Sequence, residues 1–107
     1  MAAGIGRQVA AITTATTTTI LTAPASGDFK RVARGMISVM NKGAVSQTVT
    51  LQMDVSATNY ESVEVTLAAD ESWTNDIEYI LTSTDSLELV TSSTSATDVI
   101  TSFLELT

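Results

Sequence analysis

The sequence predicts an all-β protein: an antiparallel β-sandwich, an eight-stranded jelly roll. Three observations carry this. From Phe29 onward apolar and polar residues alternate with a period close to two. The alternating runs are short, recur about every 8–12 residues and are separated by turn formers. No stretch carries the 3.6-residue period of a helix.

The elements follow in chain order. Met1–Ile12, with Gly4 and Gly6, is read as an N-terminal arm, and residues 13–107 as a single β-sandwich domain. The threonine-rich run "ITTATTTTILTAP", Ile12 to Pro24, reads as strand because β-branched residues favour a pleated backbone. Neither of its faces is decisively apolar, which suits an edge strand or one covered by a neighbouring subunit. A signal peptide needs a continuous apolar core, and this run offers Ile12, Ile20 and Leu21 as its large residues. A mucin-like stalk would carry more proline and no core after it. The loop Ala23–Asp28 holds the one proline. Lys30–Met40 and Val45–Val55 alternate on either side of Asn41–Gly43 and are expected to form a hairpin. In the second of these, Val45, Gln47, Val49, Leu51, Met53 and Val55 share one face.

Downstream, "ESVEVTLA" aligns Val63, Val65 and Leu67. "WTNDIEYIL" is expected as one strand with Trp73, Ile77, Tyr79 and Leu81 together. "LELVTS" aligns Leu87 and Leu89, and "TDVITSFLEL" is partly apolar on both faces, with Val99 and Phe103 opposite Ile100, Leu104 and Leu106. That makes seven strands, or eight if residues 5–12 also pair.

Composition narrows the function. The chain has 107 residues, 44% hydrophobic and 16% charged, which is apolar enough for a core and unlike a disordered chain. A domain of this size has a slim stability margin alone, which association relieves. No run of 18 apolar residues exists to cross a membrane as a helix. The net charge is −7, which argues against nucleic acid as a partner. All five basic residues (Arg7, Lys30, Arg31, Arg34 and Lys42) precede position 43, with Asp28 as the one acid among them. The rest of the chain carries acids and no base, so it reads either as ordinary solvated faces or as a dipolar module that packs head to tail.

Catalytic chemistry finds little support. Cysteine and histidine are absent, so thiolate chemistry and the commonest general base are missing. No catalytic residue, no cofactor and no small-molecule substrate is expected. Asp76 with Glu78, or Glu61 with Asp54, fit solvated acids better than a glycosidase pair. Asp70, Glu71, Asp76 and Asp85 lie near loop ends but without a calcium-loop pattern, so no metal site is assigned. "GIGRQV" at Gly4–Val9 lacks the context of a phosphate loop. Trp73 and Tyr79 fit core packing better than a sugar platform. Met36 and Met40 lie opposite Ile37 and Val39, where polar residues are expected; they fit an interface, or the core if the register is reversed. With Lys30, Arg31 and Arg34 they form the candidate interface set.

The order of segments adds a resemblance. "LTAPASGDFKRV", "ISVMN", "VTLQM", "VTLAADESW", "ILTSTDSLEL" and a closing "FLEL" resemble the small β-sandwich virion proteins of tailed bacteriophages. That family carries a Pro-Ala-Gly loop, a long strand ending in Asn, and two glycine-containing turns. The corresponding positions are Pro24–Gly27, Asn41, Leu67–Glu71 and Leu81–Leu87. The turn glycines are absent: Ala69 or Asp70 stands in the first, and Thr84 precedes Asp85 in the second. The resemblance spans residues 20–107 and brings no catalytic residue. It implies a capsid decoration (cement) protein, a homotrimer bound to the major capsid protein. It would be made in the host cytoplasm and located in the virion. A neck or tail-tip component is the alternative within the family, and a carbohydrate-binding module the alternative outside it.

Overall fold

A computed structural model describes residues 3–22, 30–75, 77–82 and 85–106, with side chains placed for 5–22, 37–75, 77–82 and 85–104. The described residues form nine strands and no helix. They are β1 (Ala3–Ile12), β2 (Thr17–Leu21), β3 (Lys30–Asn41), β4 (Gln47–Val55), β5 (Thr58–Leu67), β6 (Ser72–Asn75), β7 (Tyr79–Leu81), β8 (Ser86–Thr91) and β9 (Thr97–Leu106). No described helix is long and apolar enough to cross a membrane.

Two antiparallel sheets result. One has the order β1-β9-β3-β6, with β7 also on β3; the other is β2-β8-β4-β5. β6 pairs with Ile37–Met40 and β7 with Arg31–Ala33, so they are two halves of one interrupted edge strand. Counted so, the eight strands take the sheet orders of a jelly roll, and every connection but the β4–β5 hairpin passes from one sheet to the other. The expected fold class is the observed one.

Both sheets turn aliphatic side chains inward. Leu21, Ile37, Val39, Val49, Leu51, Leu81, Leu87 and Leu89 are fully buried, with Ile20, Leu67 and Val99 nearly so. The faces assigned to β4, β5, β8 and β9 are therefore the observed ones, except that Val45 lies in the crossing before β4 and is exposed.

Four expectations need correction. The segment read as an arm is strand β1, paired with β9 from Ala3↔Leu106 to Ile12↔Thr97. β3 and β4 do not form a hairpin, because they belong to different sheets and Lys42–Ser46 crosses between them. A Gly43 side chain would overlap the Ser95 hydroxyl, so glycine is needed there for close packing of two crossings. The span 72–81 is broken, and Ile77 is 45% exposed. The threonine strand is shorter than expected: residues 13–16 make a crossing, and β2 starts at Thr17. β2 does lie on a sheet edge, as anticipated. A register shift between Thr19 and Leu21 turns both Ile20 and Leu21 inward, which strict alternation forbids. The Pro24 loop and Asp76 lie outside the described residues.

Candidate functional site

The two outer faces of the sandwich differ in chemistry. On the four-stranded sheet, polar side chains satisfy one another across strands. Thr48 Oγ1 and Thr66 Oγ1 lie 3.0 Å apart, Thr50 Oγ1 donates to Glu64 Oε2 at 3.3 Å, and Gln52 Nε2 donates to Glu88 Oε1 at 2.9 Å. Such a face is at ease in water.

The five-stranded sheet exposes aliphatic side chains instead. Ile5 is 89% exposed and Val9 70%, both on β1. Register sets Val9 beside the exposed Ile100 and Ile5 beside the half-buried Leu104 on β9. Leu104 stands opposite Val32 of β3, and Val32 opposite the exposed Ile80 of β7. Register thus places Ile5, Leu104 and Ile80 at one level across the sheet. Arg7 is exposed between Ile5 and Val9, and a hollow of about 350 Å³ is lined by Ile5, Gly6, Arg7 and Ser102. Burying one such aliphatic side chain is worth about 1.5–3 kcal/mol, so this face gains from a covering partner.

Lys30, Arg31, Arg34, Met36 and Met40 all lie on β3, an interior strand between β9 and the β6/β7 edge. Arg34, Gly35 and Met36 fall in an irregularity between the pairs Ala33↔Phe103 and Ile37↔Thr101. Of this set only the Met40 side chain is among those described; it is half-buried, and its neighbour Val39 is in the core. The other four side chains lie outside the described ones.

Trp73 pairs with Val39 and packs against the core as a half-buried residue. Tyr79 is buried, and its hydroxyl contacts Ser62 Oγ at 2.6 Å and accepts from Asn75 Nδ2 at 3.0 Å. Neither ring stands free as a platform, in line with the core packing expected of them. Asp70 and Glu71 precede β6 while Asp85 follows β7, so these acids sit at opposite ends of the sandwich. Glu71 and Asp85 instead accept bonds from the backbone amides of Ala68 and Thr82 within their own turns. Among the described residues no three acids gather as a metal cluster.

Sequence reasoning missed Ile5 and Val9 as surface residues. The period-two signal was present in Ile5, Arg7 and Val9, but small residues around them hid a strand. It also missed Asn41 and Gln47 as buried hubs. Gln47 stood on the inward face in the sequence pattern, and a polar residue at a core position was the available signal.

No family model matches the chain, and no curated protein matches it. Among solved structures it is similar to Bacillus endospore appendages, described as a family of disulfide-linked pili. There the identity is 14% over 100% of this chain and 91% of that one, with a TM-score of 0.53. It is also similar to part of the Clostridium thermocellum endo-1,4-β-D-xylanase 10B, in its CBM22-1–GH10 modules complexed with xylohexaose. In that case the identity is 12%, covering 92% of this chain and 24% of that one, with a TM-score of 0.45. At these identities the likeness to the appendages is one of fold.

Proposed function

We propose that this chain is a non-enzymatic structural protein that works by assembly. The observation that carries this reading is the outer face of the five-stranded sheet, where Ile5, Val9, Ile80 and Ile100 stand in water. A partner covering them recovers the burial energy that a small sandwich leaves unused. The Bacillus appendages that share this fold form pili. Here any assembly is non-covalent in that respect, since the chain has no cysteine.

Within that reading, the phage-virion resemblance of residues 20–107 points to a capsid decoration protein. It forms a homotrimer and stabilises the head by binding several major capsid subunits at once, where weak contacts add through effective concentration. Lys30, Arg31, Arg34, Met36 and Met40 remain proposed contacts on the same sheet. Sedimentation of the purified protein with empty capsids tests this, and electron microscopy of the particles locates it. Binding to the capsid lattice is expected. Density only at the neck or tail tip would move the protein to that part of the virion, and no binding at all would refute the virion role. The sugar-binding alternative predicts saccharide-dependent quenching of Trp73 fluorescence. With Trp73 packed against the core, no response to xylan is expected.

A further inference from the structure

The four sheet edges are not equally open. β2 has five residues and an irregular register, and β6 and β7 have four and three. β1 and β5 each run ten residues. They occupy diagonally opposite corners of the sandwich. β1 is tied to the β2 side, where Thr22 N donates to Gln8 Oε1 at 2.7 Å; β5 is tied to the β7 side by the Ser62–Tyr79 contact.

Natural edges are blunted by shortness, bulges, proline or charge. β1 pairs with β9 in unbroken register, has no proline, and carries Arg7 as its one charge. Among the described residues no strand pairs with its outer edge, so its ten residues leave a row of backbone groups facing outward, flanked by the exposed Ile5 and Val9. β5 carries Glu61 and Glu64 with no base, and its Tyr60 is 59% exposed. One long edge is thus basic and apolar, and the other is acidic.

We infer that β1 of one copy adds edge to edge to β5 of a second copy, joining the five-stranded sheet of one to the four-stranded sheet of the next. Backbone hydrogen bonds supply the affinity, as in other strand additions. Charge selects the partner. Pairing β1 with β1 brings two Arg7 side chains together, and pairing β5 with β5 brings four carboxylates together, both unfavourable. Only the mixed pairing sets Arg7 against Glu61 and Glu64. The contact is therefore heterologous: each copy presents one donor and one acceptor edge, and growth continues unless the geometry closes a ring. This inference rests on the assembly reading above and specifies how copies meet.

The test uses the full chain in sedimentation velocity over a concentration series. Self-association is expected for the unaltered protein. Arg7→Glu alone, and Glu61→Lys with Glu64→Lys, should each weaken it about 10- to 100-fold through like-charge contact. All three positions are exposed, so an unchanged thermal unfolding curve shows that each variant still folds. The decisive arm mixes the two variants. The unaltered β1 of the second variant then meets the unaltered β5 of the first, and the two altered edges again carry opposite charges, so the mixture should recover the assembly that each variant lacks alone. Combining all three substitutions in one chain should restore self-association. If the single-edge variants assemble like the unaltered protein, or the mixture assembles no better than either variant alone, the inference is overturned. Should those variants also bind capsids normally, the failure belongs to the edge pairing and the assembly reading survives. An unaltered protein that neither self-associates nor binds capsids overturns both.

Discussion

The Asn41 amide reaches three sheet crossings at once. Its Nδ2 donates to Val45 O at 2.8 Å and to Leu67 O and Ala68 O, each at 3.1 Å. Its Oδ1 accepts from Gly43 N at 3.3 Å and from Ser95 Oγ at 2.6 Å. Fully buried, it locks 42–46, 68–71 and 92–96 together at one end of the sandwich. Gln47, also fully buried, does the same for the last of these, donating to Ser93 O and Ser95 O and accepting from the amides of Ser92 and Ser93. Asn41→Asp keeps the shape but removes the donors and buries a carboxylate against carbonyl oxygens. A loss of about 3–5 kcal/mol in urea unfolding is expected. Gly43→Ala is expected to cost about 1–3 kcal/mol by overpacking, because its Cβ would also come 2.7 Å from Ala96 N. A stability equal to that of the unaltered protein in either variant would refute these roles.

At the scale of elements, the turns hold conformations that their residues do not favour. β4 and β5 are joined by Ser56 and Ala57, with φ of 52° and 66°. A two-residue turn with both φ positive is a hairpin turn that prefers Asn-Gly. Asp70 has φ of 63° in the turn closed by Glu71 N donating to Ala68 O at 3.1 Å. That is a position where glycine is favoured. Replacing Ser56-Ala57 by Asn-Gly should stabilise by about 1 kcal/mol, raising Tm by about 4–8 °C in calorimetry. Asp70→Gly should act in the same direction, and a fall in Tm for both would refute the strain argument.

For the whole molecule, the N-terminal segment is the sharpest case. Read as an arm, residues 1–12 should be dispensable for folding. As β1 they cover β9: Ile12 is buried, and Phe103 lies over Gly6, whose added Cβ would come 2.6 Å from the ring. Deleting residues 1–12 is therefore expected to lower Tm by more than about 10 °C or leave the chain insoluble, since it strips a ten-residue strand from the sheet. A deletion variant with an unchanged melting curve would return the segment to the status of an arm.

Local pattern by itself determined the all-β class, the inward faces of β4, β5, β8 and β9, and the edge position of β2. Each follows from side-chain alternation, which is a property of neighbouring residues. Only the tertiary structure decided which strands meet. Asn41–Gly43 has the composition of a hairpin turn, and nothing nearby in the chain shows that Leu67, Ala68 and Ser95 wait to receive it. The sheet exchange there depends on residues that are 26 and 54 positions away. The same holds for Ile5 and Val9. Their place in a strand depends on β9, at the far end of the chain, and their exposure depends on the face that β9 leaves open.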